Sequence, residues 1–131
     1  MRSTSYYLII ALFFAIGMTS LIAQVNDAPI LSIEGQVSDK ITQENLANAD
    51  SIKIRCMANE VSPWTILSCR VVKVPKQGDP TVTVSNGARF SQATIDQLKT
   101  AKVDDIIFFE EIKLISKSGE EREVDLVVEV Y

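Results

Sequence analysis

The side chains that could take part in a reaction are three adjacent carboxylate pairs and two cysteines. The pairs are Asp104-Asp105, Glu110-Glu111 and Glu120-Glu121. General acid–base catalysis needs two groups that face one substrate, whereas neighbouring residues of an extended strand point to opposite faces. The pair beside Gly119 is typical of a solvated turn. These pairs therefore predict no catalytic site, and we expect the protein not to be an enzyme.

The composition contains few of the residue types that bind metals or cofactors. The 131 residues include no His, which excludes His-based triads and His metal sites. Two cysteines cannot supply the four ligands of a structural zinc site. The five glycines are isolated, so no Gly-rich phosphate-binding loop is present. We expect neither a metal nor a cofactor.

Cys56 and Cys69 form a disulfide candidate. Each lies on the apolar face of a predicted strand, and the midpoint between them falls between Ser62 and Pro63, in a predicted turn. An antiparallel hairpin would set the two cysteines opposite each other, at a separation that a disulfide can bridge. An oxidising compartment favours such pairing. The alternative is two buried thiols.

Trp64 is the only Trp of the chain and allows two interpretations. On a turn it could serve as an exposed binding aromatic, together with Tyr131. It could equally fold over the end of the core beside Pro63. The first interpretation would favour a binding site for a small ligand or a glycan.

The first 23 residues predict a secretory signal peptide. Arg2 is their only charge, Leu8–Met18 is apolar, and the segment ends in small or apolar residues at Ala23. A charged start, an apolar centre and a small-residue end are typical of such signals. We expect cleavage after Ala23 and a periplasmic or otherwise exported protein. The alternative is an uncleaved anchor, since Tyr6–Ala23 is just long enough to span a bilayer.

The remainder predicts one small β-rich domain over residues 33–131, after an N-terminal arm at 24–32. Short helices are expected at about Gln43–Ala49, capped by Thr42, and from a Ser91 cap to about Lys102. Strands are expected at the following positions: Ile33–Val37, Ile52–Met57, Thr65–Val74, Thr81–Ser85, Ile106–Ser116 and Val124–Val130. In the third of these, Leu67, Cys69 and Val71 are expected to share one face.

Side-chain alternation predicts the C-terminal hairpin in more detail. The last strand alternates Val124, Leu126, Val128 and Val130 with mostly acidic residues. Pairing Ile112 with Leu126 and Leu114 with Val124 places all four side chains on one face, around a loop centred on Gly119. Glu110 then falls on the apolar face. We therefore predict a β-bulge at Glu110-Glu111.

The charge of the chain bears on its partners. Seventeen acidic residues stand against thirteen basic ones, for a net charge of −4. Binding to nucleic acid calls for a basic face, so we expect no nucleic-acid partner. The charge gives no support to binding of anionic lipid either, and a membrane contact is expected only through an uncleaved signal.

Several segments together resemble the C-terminal periplasmic domain of the GldM/PorM family, part of the gliding-motility and type IX secretion machinery of Bacteroidetes. The segments are VSDKITQENLANADSIKI, CRVVKV, NGARFSQATIDQLKTAKVDDIIFFEEIKLISKSGEEREV and the closing apolar strand. The resemblance implies a mainly β fold of β-sandwich or Ig-like type with two short helices. It also implies a domain that binds other proteins and has no catalytic residues.

Two features depart from that family. Its members carry a membrane helix and a long multidomain ectodomain, whereas this chain predicts a single domain behind a signal peptide. Cys56 and Cys69 are not part of the family pattern. The sequence therefore predicts a stand-alone, non-enzymatic interaction module for other envelope or periplasmic proteins, and it indicates no oligomeric state. The alternative is a periplasmic domain that binds a small ligand or a glycan.

Overall fold

The computed structural model describes residues 28–56 and 63–131, which form a mainly β, β-sandwich-like single domain, as predicted. The strands are β1 Pro29–Ser32, β2 Lys40–Ile41, β3 Lys53–Cys56, β4 Trp64–Val74, β5 Thr81–Asn86, β6 Ile106–Ser116 and β7 Glu121–Val130, and the helices are α1 Gln43–Ala47 and α2 Gln92–Lys99. The first sheet pairs β1 with β3, and the second has the order β2-β7-β6-β4-β5. The predicted signal peptide, its cleavage site and most of the turn before Trp64 lie outside the described residues.

Both helices begin at the predicted caps. The side-chain oxygens of Thr42 and Ser91 accept a backbone N–H from the first turn, at 3.1 Å and 3.3 Å. Each bond satisfies a donor that the helix itself leaves unpaired. The helices end earlier than predicted, at Ala47 and Lys99. The cap chemistry was therefore a better guide to the start of each helix than side-chain pattern was to its end.

The prediction of a first strand at Ile33–Val37 is wrong. Gly35 adopts a φ of +86° there, and the backbone N–H of Gln36 donates to the carbonyl of Ile33 at 3.0 Å, which makes a turn. A Cβ on Gly35 would lie 2.5 Å from the Asn45 side chain, so both backbone and space require glycine. The first strand instead lies in the predicted arm, where β1 pairs antiparallel with β3.

The β6–β7 hairpin confirms the predicted inner face but corrects the register. Val128 and Val130 are buried, and the other apolar residues of that face pack against the core. Ile112 lies opposite Val124, and Leu114 lies opposite Arg122, two residues from the predicted partners. A shift of two residues keeps every side chain on its face, so the alternation could not detect it.

The predicted bulge at Glu110-Glu111 is confirmed. Pairing with β7 shifts between Phe109 and Ile112, and Glu111 has a φ of +49°. The Glu111 backbone N–H, turned out of the ladder, donates to the carboxylate of Asp125 at 3.1 Å. The extra residue removes Glu110 from the apolar face, as the prediction required.

A second irregularity, in β4, was not predicted. Pairing with β6 shifts on either side of Ser68, so Ile66 and Cys69 both point inward although they are three residues apart. Leu67 is 45% exposed, and the prediction that it shares a face with Cys69 and Val71 is wrong. The extra residue in β4 offsets the one in β6, and the two long strands stay paired beyond both.

The core lies on one side of the five-stranded sheet, which we call the inner face. Its most buried members come from the five-stranded sheet, both helices and the turn after β1: Ile33, Ile41, Leu46, Val71, Leu98, Ile107, Phe109, Ile112, Leu114, Val128 and Val130. The rings of Phe90 and Phe109 stack at 5.8 Å between centroids. The opposite side of the sheet is called the outer face. β7 lies inside the sheet, between β6 and β2.

Candidate interaction surface

Four apolar side chains form a line across the outer face, which we call the apolar row. Val72 in β4 lies opposite Val82 of β5 on one side and Phe108 of β6 on the other. Phe108 in turn lies opposite Val127 of β7. Residues that are opposite in neighbouring strands bring their side chains within contact range. The row therefore runs without interruption over four strands.

The apolar row is open to solvent at both ends. Val82 is 50% exposed and Val127 is 43% exposed, while Val72 and Phe108 between them are partly buried. Val84 and Ile106, from neighbouring rows, are 58% and 37% exposed. Single exposed valines are common on soluble proteins. A contiguous apolar patch that spans a sheet is typical of an interaction site.

Charged residues border the apolar row on both sides. On one side Arg70 faces Glu110, with 3.9 Å between the guanidinium and the carboxylate, and the Asp125 carboxylate is nearby on β7. On the other side Glu129 lies opposite Lys40. Three carboxylates against two cationic side chains make the border acidic overall.

The described helices and the small sheet lie on the other side of the molecule. Helix α2 packs against β5 through inward-pointing side chains, since Thr83 bonds both Thr94 and Gln97 at 2.7 Å. Leu46 of α1 and Cys56 of β3 belong to the core cluster, and Leu31 of β1 packs against it. Across residues 28–56 and 63–131, no helix or strand covers the apolar row.

This surface is not among the sites predicted from the sequence. A usable signal existed in β5, where Val82 and Val84 alternate with Thr81, Thr83 and Ser85. The pattern predicts two faces of different polarity. In the structure the hydroxyl face points inward, and the valine face points to solvent. The usual assumption that the apolar face is the buried one would have failed in this strand.

The hairpin that was to bring Cys56 and Cys69 together is absent. β3 pairs with β1, and β4 pairs with β5 and β6 in the other sheet. The two sulfurs are not joined in a disulfide, although both side chains are buried. The predicted disulfide thus loses its geometric basis, and the alternative of two buried thiols describes the structure.

The thiol of Cys69 is held in its neutral form. Burial, and to a lesser extent the negative charge of Asp125, raises its pKa from 9.0 to about 12. The S–H donates to the backbone carbonyl of Arg70 at 3.6 Å. Because the thiolate is the reactive species, this cysteine is chemically inert at neutral pH.

Trp64 is part of the core, as the second interpretation of the sequence predicted. It lies on the inner face at the start of β4 and is 6% exposed. The guanidinium carbon of Arg122 lies 5.1 Å from the ring centroid, at cation–π distance. The prediction of an exposed binding aromatic is wrong, and the glycan-binding alternative loses its principal residue.

Each carboxylate pair takes up structural contacts. Asp105 is buried and accepts the backbone N–H groups of Lys76 and Lys102, while its neighbour Asp104 pairs with the Lys76 ammonium at 3.5 Å. Glu120 pairs with Arg122 at 3.3 Å. In the described part of the chain, no group of three or more His, Cys, Asp and Glu side chains is placed to hold a metal ion.

Within the described ranges, no helix has the length and apolar character needed to cross a membrane. No protein-family model matches the chain, and no curated protein matches it significantly in sequence. The resemblance to the GldM/PorM C-terminal domain therefore stays a prediction from motifs.

Proposed function

We propose that this protein is a non-enzymatic, exported interaction module that binds another protein through the apolar row. The observation that carries the proposal is the alignment of Val82, Val72, Phe108 and Val127 on a sheet face that no described element covers. Natural sheets that carry a row of this kind bury it against something. In this molecule the other face already holds the core.

The size of the apolar row limits the complex it can form. Full burial of a Val or Phe side chain contributes about 1.5–3 kcal/mol. Two half-exposed and two partly buried side chains therefore contribute roughly 2–5 kcal/mol, before the loss of translational and rotational freedom is subtracted. The row alone supports a weak complex, so flanking contacts must supply the remaining affinity.

The acidic border specifies the chemistry of the partner. Glu110, Asp125 and Glu129 stand beside the row, and complementary charges raise association rates and exclude wrong partners. The fitting partner presents an apolar strip flanked by Lys or Arg. Because exposed charges are screened by salt, its association should slow as ionic strength rises.

The cellular setting follows from the sequence. The signal peptide predicted at residues 1–23 and the motif resemblance to the GldM/PorM C-terminal domain both favour a partner in the envelope or periplasm. A link to gliding motility or type IX secretion belongs to this proposal. The role proposed within that setting is that of an adaptor between envelope proteins.

The test compares two substitutions that add the same charge to the outer face. Val127→Lys places an ammonium in the apolar row, and Thr65→Lys places one at an exposed position outside it. Each purified variant is immobilised and exposed to extract of the native envelope, and captured protein is quantified by mass spectrometry. We expect Val127→Lys to capture at least about tenfold less of one specific partner than the parent does, and Thr65→Lys to capture as much as the parent.

Stability measurements make the comparison decisive. Both variants are unfolded in urea beside the parent, and matching midpoints show that the fold is intact. Equal capture by the two variants would contradict the proposal. So would a captured set made up only of copies of this chain, which would assign the row to self-association.

A further inference from the structure

A cleft of about 560 Å³ opens at the C-terminal end of α2, far along the sheet from Trp64. Its walls are the loop that follows β4 and the segment that follows α2. Its lining includes three lysines, Lys73, Lys76 and Lys102, against two aspartates. The cleft is therefore richer in cations than the chain as a whole, which has a net charge of −4.

Lys73 is the unusual member of this lining. It points to the inner face from β4 and is only 9% exposed. Its ammonium donates to the carbonyl of Gln97 at 3.3 Å and to the hydroxyl of Thr100. These contacts cap the last turn of α2, where unpaired carbonyls attract a cation.

The contacts of Lys73 do not use all the hydrogen-bond donors of its ammonium group. An ammonium has three N–H donors, and the described residues supply acceptors for two of them. No carboxylate of the described residues lies within 4 Å of the Lys73 Nζ. A helix C-terminus carries only about half a negative charge. The ammonium therefore lacks a full counter-charge among the described residues, in a position largely withdrawn from water.

The aspartates that line the cleft are Asp79 and Asp105, and neither carboxylate lies within 4 Å of the Lys73 ammonium. Asp105 directs its carboxylate to the backbone N–H of Lys102 at 2.8 Å and of Lys76 at 3.3 Å. It thereby fixes the two walls relative to each other. The Lys76 ammonium is occupied by Asp104 at the exposed rim. Lys102 is exposed and lines the mouth without an ion-pair partner in the described part of the chain.

We propose that this cleft binds the oxyanion group, carboxylate or phosphate, of a small ligand. Lys73 provides the buried charge and the third N–H, and Lys102 provides a second cation at the mouth. The cleft has the volume of a small-molecule site. The site is independent of the apolar row, which lies on the other face of the sheet.

The test is a titration of the ¹⁵N-labelled protein, followed by amide NMR, with inorganic phosphate in one arm and acetate in the other. We expect saturable shifts at the amides of Gly78, Thr100 and Lys102 in at least one arm. Whichever anion saturates identifies the ligand class. Lys73→Met should weaken the affinity at least about tenfold, while Lys113→Met, on the exposed side of β6, should leave it unchanged.

Lys102→Met provides a second variant at an exposed position, in case the buried substitution unfolds the protein. It should weaken binding several-fold with the fold intact. Shifts that rise linearly without saturation in both arms would overturn the proposal. Shifts reproduced by chloride at equal ionic strength would also overturn it, as would equal affinities for the parent and the two cleft variants.

Discussion

The two faces of the five-stranded sheet carry similar apolar residues but differ in how far those residues are buried. Phe109 on the inner face is fully buried and stacks on Phe90. Its neighbour Phe108 points to the outer face and stays partly exposed in the apolar row. The difference arises because α1, α2 and the small sheet all pack on one side. Apolar content alone therefore does not distinguish core from docking surface on this sheet.

The largest expected effect is on the inner face. Phe109→Ala removes a fully buried ring and leaves a cavity, at an expected cost of about 3–5 kcal/mol in the free energy of unfolding. Phe108→Ala is the same substitution one residue earlier. It should cost less than about 1.5 kcal/mol, because part of the Phe108 ring is exposed to solvent in the folded protein. Urea unfolding measures both. Equal losses would mean that the outer face is covered after all.

The polar part of the inner face should show the next largest effect. The hydroxyl of Thr94 is fully buried and lies 2.7 Å from that of Thr83, 2.9 Å from that of Ser85 and 3.1 Å from that of Ser91. Thr94→Val keeps the side-chain volume but removes a hydrogen-bond partner from each of these three hydroxyls. We expect it to lower the free energy of unfolding by about 1–3 kcal/mol. Thr65→Val, the same change on the exposed outer face, should stay within about 0.5 kcal/mol. Similar midpoint shifts in thermal and urea unfolding would remove the distinction.

Cys69 allows the inner face to be probed by pH. Its pKa rises from 9.0 to about 12 on folding, so the unfolded thiol ionises first and the unfolded state gains stability above pH 9. Between pH 8 and pH 10 the parent should lose about 1.4 kcal/mol more than Cys69→Ala does. Urea unfolding under reducing conditions gives the difference. A parent-minus-variant difference that does not change with pH would place the thiol in contact with water.

The smallest effect on stability is expected in the apolar row. Val127→Thr replaces a methyl by a hydroxyl at a position that is 43% exposed, and it should change stability by less than about 0.5 kcal/mol. Partner capture should nevertheless fall, because a hydroxyl at a dry interface must be desolvated. The informative result is the combination of an unchanged urea midpoint with reduced capture. A clear loss of stability would assign Val127 to the core.

Local chemistry in the sequence predicted local structure well. Thr42 and Ser91 begin their helices because a hydroxyl can accept the first free N–H groups, and no distant partner is needed. The bulge at Glu110-Glu111 was predictable for a similar reason, since a carboxylate cannot stay on a buried apolar face. In these cases the energetic penalty lies within a few residues.

Long-range pairing was not predictable in the same way. Cys56 and Cys69 lie symmetrically about the Ser62–Pro63 bond, which favours a hairpin, yet β3 pairs with β1. The bulge in β4 at Ser68 has no local cause and serves to keep β4 in step with β6. From the sequence alone, Lys73 would be expected to be an exposed cation. It is buried because its ammonium bonds the C-terminal end of α2, which is distant in sequence. These features depend on contacts between distant segments.

The position of β7 between β6 and β2 has a consequence for the time at which the sheet can close. Both neighbours are made before β7, and the Val130 carbonyl also accepts the backbone N–H of Asp104. At 5–20 residues per second, a ribosome needs roughly 1–5 s to proceed from Ile106 to Val130. During that interval one edge of β6 is unpaired and the inner face is open to water. The five-stranded sheet can thus close only after β7 has been made.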